Sequence, residues 1–169
     1  MKINQLLRNL FLLVILFANI SCDQISKGIV RQKMDYHSPI TFLKQHLTLI
    51  KVENTGAFLS VGSALPESLK IILLKVLPVL ALCFALIYVW RAKNLSLITA
   101  AGICFFIGGG IGNIYDRILY GSVTDFAHID FVIFQTGIFN MADVSIVVGV
   151  ILIALDSLRN RNRLSNLFR

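Results

Sequence analysis

Asp143 stands inside an apolar run. It follows Phe139-Asn140-Met141-Ala142 and precedes Val144-Ser145-Ile146-Val147-Val148-Gly149-Val150-Ile151-Leu152-Ile153-Ala154-Leu155. A carboxylate at the centre of a membrane span costs about 2.5–3.5 kcal/mol on insertion scales, so such residues face a bundle interior or a wet cavity and mark functional sites. Asp125 lies on the segment feeding that run. Two carboxylates within hydrogen-bond reach cannot both ionise cheaply; they share a proton and titrate as a pair. That is the chemistry of aspartic peptidases, in which one aspartate takes a proton from water while the other polarises a peptide carbonyl. Asp130 and Asp116 are rival partners on spacing, though Asp116 is more simply read as paired with its neighbour Arg117. Which aspartate is acid and which is base is not written in the sequence. Two other readings of Asp143 stay open: ion coordination in a small transporter, and a structural hydrogen bond in a non-catalytic scaffold. Competing catalytic kits do not occur: there is no His-Glu-x-x-His, no Gly-x-Ser-x-Gly, and no Gly-x-Gly-Asp of the presenilin type. His37, His46 and His128 are scattered over segments that read as solvated or interfacial loops.

The elements that must carry these residues are membrane spans. The chain has 169 residues, of which 56% are hydrophobic and 15% charged, with mean hydropathy +0.77. A soluble domain carries about 25% charge. The pattern predicts an all-α integral membrane protein of one domain, 1–169, with four transmembrane helices over 8–27, 69–90, 95–114 and 138–158. Residues 1–27 also fit a signal peptide ending Ser21-Cys22, but three further apolar runs favour an uncleaved first span. The net charge of +7 sits mostly beside the apolar runs, so orientation in the membrane explains it better than nucleic-acid binding. No recognition motif accompanies the tail Arg159, Arg161, Arg163 and Arg169. Cys22, Cys83 and Cys104 form no CxxC pair, which leaves them as packing residues.

Polar segments separate the spans. In 28–68, Arg31-Gln32-Lys33 reads as loop, followed by two short strands, Ile40-Thr41-Phe42-Leu43 and Leu47-Thr48-Leu49-Ile50-Lys51-Val52. These predict a small sheet on the outer face. Asn54-Thr55-Gly56 reads as a turn with Gly56 free to take positive φ. Residues 115–137 read as a second outer loop. Its apolar part, 126–134, either walls a lipid groove or lies at the interface, and Gly56 with Phe58 could close over the site. Asp23 and Lys27, at i and i+4, form either an interfacial salt bridge or a prop for the site. Asn113 and Arg117 share a helix face, Gly108 and Gly112 allow close helix approach, and Pro78 predicts a kink. Lys2, Arg8, Arg91, Lys93 and the tail 159–169 predict that both termini are cytoplasmic, with Asp143 near the outer face.

In this order along the chain, Asp23-Gln24-x-x-Lys27, Asn54-x-Gly56-Ala57-Phe58, Gly109-x-x-Gly112-Asn113-x-x-Asp116-Arg117, Val123-x-Asp125-Phe126 and Phe139-Asn140-x-Ala142-Asp143 resemble the motifs of the lipoprotein signal peptidases, signal peptidase II. The resemblance implies an aspartic endopeptidase of the bacterial cytoplasmic (inner) membrane. Its substrate would be a prolipoprotein with a diacylglyceryl-modified cysteine, cut just before that cysteine. It implies Asp125 and Asp143 as the dyad, Asn54, Gly56, Asn113, Arg117, Asn140 and Ala142 as supporting groups, and Asp23 and Lys27 as scaffolding. It further implies no metal or organic cofactor and inhibition by globomycin. The expected partners are prolipoproteins and membrane lipid, with no nucleic acid, and the expected state is a monomer. Leu59 departs from the Ser or Gly usual after the phenylalanine, and Thr124 replaces a more usual aliphatic residue.

Overall fold

The computed structural model describes residues 5–167 apart from 37, 44, 45, 58–60, 93 and 132, with side chains described as far as 160. Expectations for Lys2, His37, Phe58, Leu59 and Lys93, and for the side chains of Arg161, Arg163 and Arg169, fall outside the described residues. The order is α1 (Gln5–Lys33), β1 (Ile40–Phe42), β2 (Leu47–Asn54), α2 (Glu67–Arg91), α3 (Leu97–Leu119), β3 (Val123–Ile129) and α4 (Met141–Leu167). Among the described residues four helices are long and apolar enough to cross a membrane. Large apolar side chains such as Leu10, Phe17, Leu80 and Phe84 point outward. Lipid tolerates that arrangement and water does not.

Helix α3 is central and packs on the other three. Small residues let it do so. A Cβ on Gly102 would come within 2.8 Å of the Gly149 carbonyl of α4. One on Gly109 would collide with the Ala142 carbonyl, and one on Gly112 with the Asp23 carboxylate of α1. The expected close approach at Gly108–Gly112 is therefore present, and a second one at Gly102–Gly149 joins it. At the opposite end of the bundle from the sheet, Asp156 of α4 accepts hydrogen bonds from Ser96 and Thr99 at the start of α3.

Three boundaries beside the site differ from the sequence reading, and α4 also continues as helix to Leu167 through the expected tail. Helix α1 continues through Arg31-Gln32-Lys33, which read as loop, because Asp23, Lys27 and Arg31 form one stripe engaged with α3. Helix α3 runs on to Leu119, past the expected end at 114, because Asn113, Asp116 and Arg117 all find partners inside the protein. Helix α4 starts at Met141 rather than 138, since Phe139 pairs with Ala127 of β3 instead. Pro78 follows a wide π turn over Ile71–Val76, one of the recognised sources of helix bending.

The sheet is antiparallel, in the order β1-β2-β3. Strand β3 occupies part of what reads as the second polar loop. Residues 123–127 are buried on both faces, so the alternation that reveals a half-buried strand is absent. Positive φ occurs at Gly62 and Gly121. The turn at Gly56 is fixed differently, by its amide donating to Asn54 Oδ1 at 3.0 Å, an Asx turn.

Gly28 has open space around its Cα, in contrast to Gly109. Gly28→Ala should raise the unfolding free energy in detergent by up to about 1 kcal/mol through helix propensity. Gly109→Ala should lower it by about 1–3 kcal/mol through overpacking. Thermal unfolding of the two purified variants should therefore show midpoint shifts of opposite sign.

Candidate active site

Asp125 and Asp143 meet at Asn140. The meeting is built by the chain just before α4. Phe139 accepts from the amides of Phe126 and Ala127 and donates to the Ala127 carbonyl at 2.9 Å, so 139 and 140 run alongside β3. The Asn140 side-chain amide donates to Asp125 Oδ1 at 2.6 Å. Its Oδ1 accepts from the Asp143 amide at 3.1 Å, while its own backbone amide donates to Asp143 Oδ2 at 3.2 Å. The last two bonds make a reciprocal cap on the N-terminus of α4, of the capping-box kind. One asparagine thus starts the helix and joins both aspartates.

The other expected residues complete this cradle. Asn54 donates to Asp125 Oδ2 and to the Ala57 carbonyl, both at 3.0 Å. Asn113 donates to Asp143 Oδ1 at 2.9 Å, and its own Oδ1 accepts from Asn140 at 3.1 Å and from Lys27 at 2.9 Å. Arg117 donates to the Gly56 carbonyl at 2.8 Å and ties the Asx turn to α3. Asp23 accepts from the Ala142 amide at 2.9 Å.

Lys27 lies between Asp23, at 2.9 Å, and Asp116, at 3.1 Å, and the side chains of all three are 0% exposed. This is no interfacial salt bridge. Asp116 pairs with Lys27 and with Arg31 of α1, rather than with the adjacent Arg117. The i and i+4 spacing from Lys27 to Arg31 is the sequence signal for this pairing, and it shows only once α1 is carried past Lys27. Asp130 lies at the other end of β3 from Asp125, where its amide donates to the His46 carbonyl. The His46 ring makes a 2.7 Å hydrogen bond with the Asp130 carbonyl and stacks on Phe131, and His128 is on β3, so neither is a free loop residue. Among the described residues no cluster of His, Cys, Asp and Glu is arranged to hold a metal ion.

Asp125 is only 5% exposed. Burial holds its carboxyl above the ordinary carboxylate range; the Asn54 and Asn140 amides pull it back, and nearby Asp143 pushes it up. Asp143 accepts from the Asn113 side-chain amide and from the Asn140 backbone amide at the start of α4. The two carboxyls thus have different partners: two asparagine side-chain amides for Asp125, one side-chain and one backbone amide for Asp143.

Both aspartates line a cavity of about 540 Å³. Asn54, Asn113, Arg117 and Asn140 line its polar part, and Leu73, Leu74, Pro78, Phe106, Ile146 and Val147 its apolar part. The apolar wall belongs to α2, α3 and α4. Described residues of 126–134, one expected wall, do not line it; Phe126 and Ala127 pack inward with Val30 instead.

The family profile described as Signal peptidase (SPase) II matches residues 15–159. A lipoprotein signal peptidase of Methylocella silvestris is 36% identical over 125 residues, covering 74% of this chain and 71% of that one. That of Aquifex aeolicus is 32% identical over 147 residues, covering 86% and 84%. A solved bacterial membrane enzyme shares the fold with TM-score 0.80 and 24% identity, across 90% of each chain.

Lys27→Met should lower stability by about 3–5 kcal/mol, the usual cost of leaving buried charge unpaired. Adding Asp116→Asn to that variant should restore part of the loss. Unfolding in detergent measures both, and a double variant no more stable than Lys27→Met would contradict the pairing.

Proposed function

This chain belongs to the signal peptidase II family, and on that premise we propose that it removes signal peptides from diacylglyceryl-modified prolipoproteins through an Asp125 and Asp143 dyad, cutting before the lipidated cysteine. One observation carries the reading. Asn140 donates to both carboxyls, from its side chain to Asp125 and from its backbone amide to Asp143, at the polar end of an apolar cavity. A substrate with acyl chains beside its scissile bond needs both halves of such a cavity.

In the proposed cycle Asp125 enters protonated and Asp143 ionised. Asp143 takes a proton from water as its oxygen attacks the carbonyl carbon preceding the cysteine. Asp125 gives its proton to the carbonyl oxygen, and a neutral gem-diol forms. Asp143 then passes its proton to the cysteine nitrogen and the C–N bond breaks. Asp125 recovers a proton from one diol hydroxyl, leaving a carboxylic acid and a free amine. The amides of Asn54, Asn113 and Asn140 hold the two carboxyls throughout. Arg117 Nε, buried and without a hydrogen-bond partner among the described residues, is free to donate to a substrate carbonyl.

The acyl chains would lie along Leu73, Leu74, Phe106 and Val147, entering between helices from the bilayer. Leu73 and Val147 are exposed on the bundle surface as well as lining the cavity, which supports lateral entry. The basic flanks support placement in the bacterial cytoplasmic membrane with both termini cytoplasmic and the site near the outer face.

Purified protein in detergent should cleave a diacylglyceryl prolipoprotein just before its lipidated cysteine. Asp125→Asn and Asp143→Asn, each shown to be folded, should lose about 10³-fold or more in kcat, because asparagine keeps the shape but cannot carry the proton. Normal cleavage by either variant would overturn the dyad. The pH profile gives a second check. Asp125 must be protonated to act, and its carboxyl lies above the ordinary range. Activity should therefore persist at pH values above that range and fall as pH rises through the Asp125 value. A rate that rises across that window would assign the roles the other way round.

A further inference from the structure

We propose that Arg31 is a positioning residue that sets Asp125 against Asp143 by holding the two halves of the site at once. The inference rests on the aspartic peptidase reading and concerns residues outside the cradle.

The Arg31 guanidinium contacts two elements. Its Nη2 lies 2.8 Å from Asp116 Oδ2, an ion pair with the Arg31 side chain 19% exposed. Its Nε donates to Thr124 Oγ1 at 2.9 Å. The Tyr120 ring lies under the guanidinium, 4.1 Å from Cζ to the ring centroid, and fixes its plane. Through Asp116 the first contact leads to Lys27, then Asn113, then Asp143. Through Thr124 the second leads directly to Asp125, its neighbour on β3.

Side chains alternate across a strand. Thr124 faces Arg31 and Glu53, and Asp125 faces the cavity. The ladder pairs Val52 with Asp125 and Glu53 with Thr124, but an irregularity between Leu49 and Val52 comes immediately before. A slip of one residue would turn Asp125 out of the cavity, so the register here needs its own lock. Glu53 supplies one half, accepting from Ser122 at 2.6 Å and from Thr124 at 2.9 Å. Arg31 supplies the other, from the far side of the same hydroxyl. Thr124 donates to Glu53 and accepts from Arg31, which uses a hydroxyl both ways. An aliphatic residue at this position could do neither, so the departure at Thr124 becomes part of the positioning device.

The test compares wild type, Thr124→Ser, Thr124→Val, Arg31→Gln and the double variant Arg31→Gln/Thr124→Val in prolipoprotein cleavage. Thr124→Ser keeps the hydroxyl and should stay within about twofold of wild type. Thr124→Val and Arg31→Gln should each lower kcat by about tenfold to a hundredfold, the range expected of a small misplacement, with KM changed less than about twofold. Arg31→Gln also removes the Asp116 ion pair and Thr124→Val the Glu53 bond, but both cut the shared Arg31–Thr124 link, so the double variant should lose less than the product of the two single losses. Lowered thermal stability with unchanged kcat would overturn the inference by making Arg31 merely structural. A raised KM alone would overturn it by making Arg31 a substrate contact. If Arg31→Gln does not fold, Thr124→Val against Thr124→Ser decides alone, and equal kcat in those two would overturn the inference. A folded wild type that cleaves nothing fails the peptidase reading and this inference together; an active wild type with unaltered variants fails the inference only.

Discussion

The buried Lys27 ammonium is the constraint on which the rest of the structure turns. An ion removed from water costs several kcal/mol even after relaxation, and Lys27 shares its site with two carboxylates that are equally buried. Arg31 supplies the second cation, so two positive groups face Asp23 and Asp116. Satisfying these four charges requires α1 and α3 to lie at contact distance, and the absence of a side chain at Gly112 permits it. Asp23 then accepts from the first turn of α4. The arrangement that keeps charge out of lipid is therefore also the one that fixes three helices relative to one another.

Closer to the two candidate catalytic carboxyls the chemistry changes. There the direct partners are the neutral amides of Asn54, Asn113 and Asn140. A cation in contact with both aspartates would stabilise two carboxylates and leave no shared proton. Amides hold the geometry with a weaker preference for the ionised form. The protein thus keeps the Lys27 and Arg31 charges on the α1 side of Asn113 and places dipoles in direct contact with the two aspartates. Asn113 is the boundary, accepting from Lys27 and donating to Asp143.

Much of the architecture was legible because lipid imposes long apolar runs. The four spans and the two strands of the first polar segment could be read from residue type and order, whereas the gathering of Asn54, Asn113 and Asn140 around both aspartates was implied by the resemblance of their motifs to a family. The misses share a cause. The polar run from Arg31 reads as a loop, yet Arg31 is polar because it is bonded inside the protein, so polarity there marks an interior face. Strand β3 carries no strand signal, because its central residues are buried on both sides and show no alternation. Asp116 was assigned to Arg117 by adjacency, although neighbours one residue apart on a helix point in different directions. Its true partners lie on another helix, which sequence spacing does not reveal.

The reciprocal cap between Asn140 and Asp143 carries a consequence for timing. The Asp143 carboxylate oxygen that receives the Asn140 amide belongs to the group that takes up a proton in the proposed cycle. Protonation weakens it as an acceptor and takes a negative charge from the first helical turn, which costs about 0.3–1 kcal/mol. The first turn of α4 is then less firmly held while the proton resides there, and firm again once the leaving nitrogen has taken it. The helix start would act as a return spring: its relaxation favours delivering the proton onward over storing it, and resets the site for the next peptide.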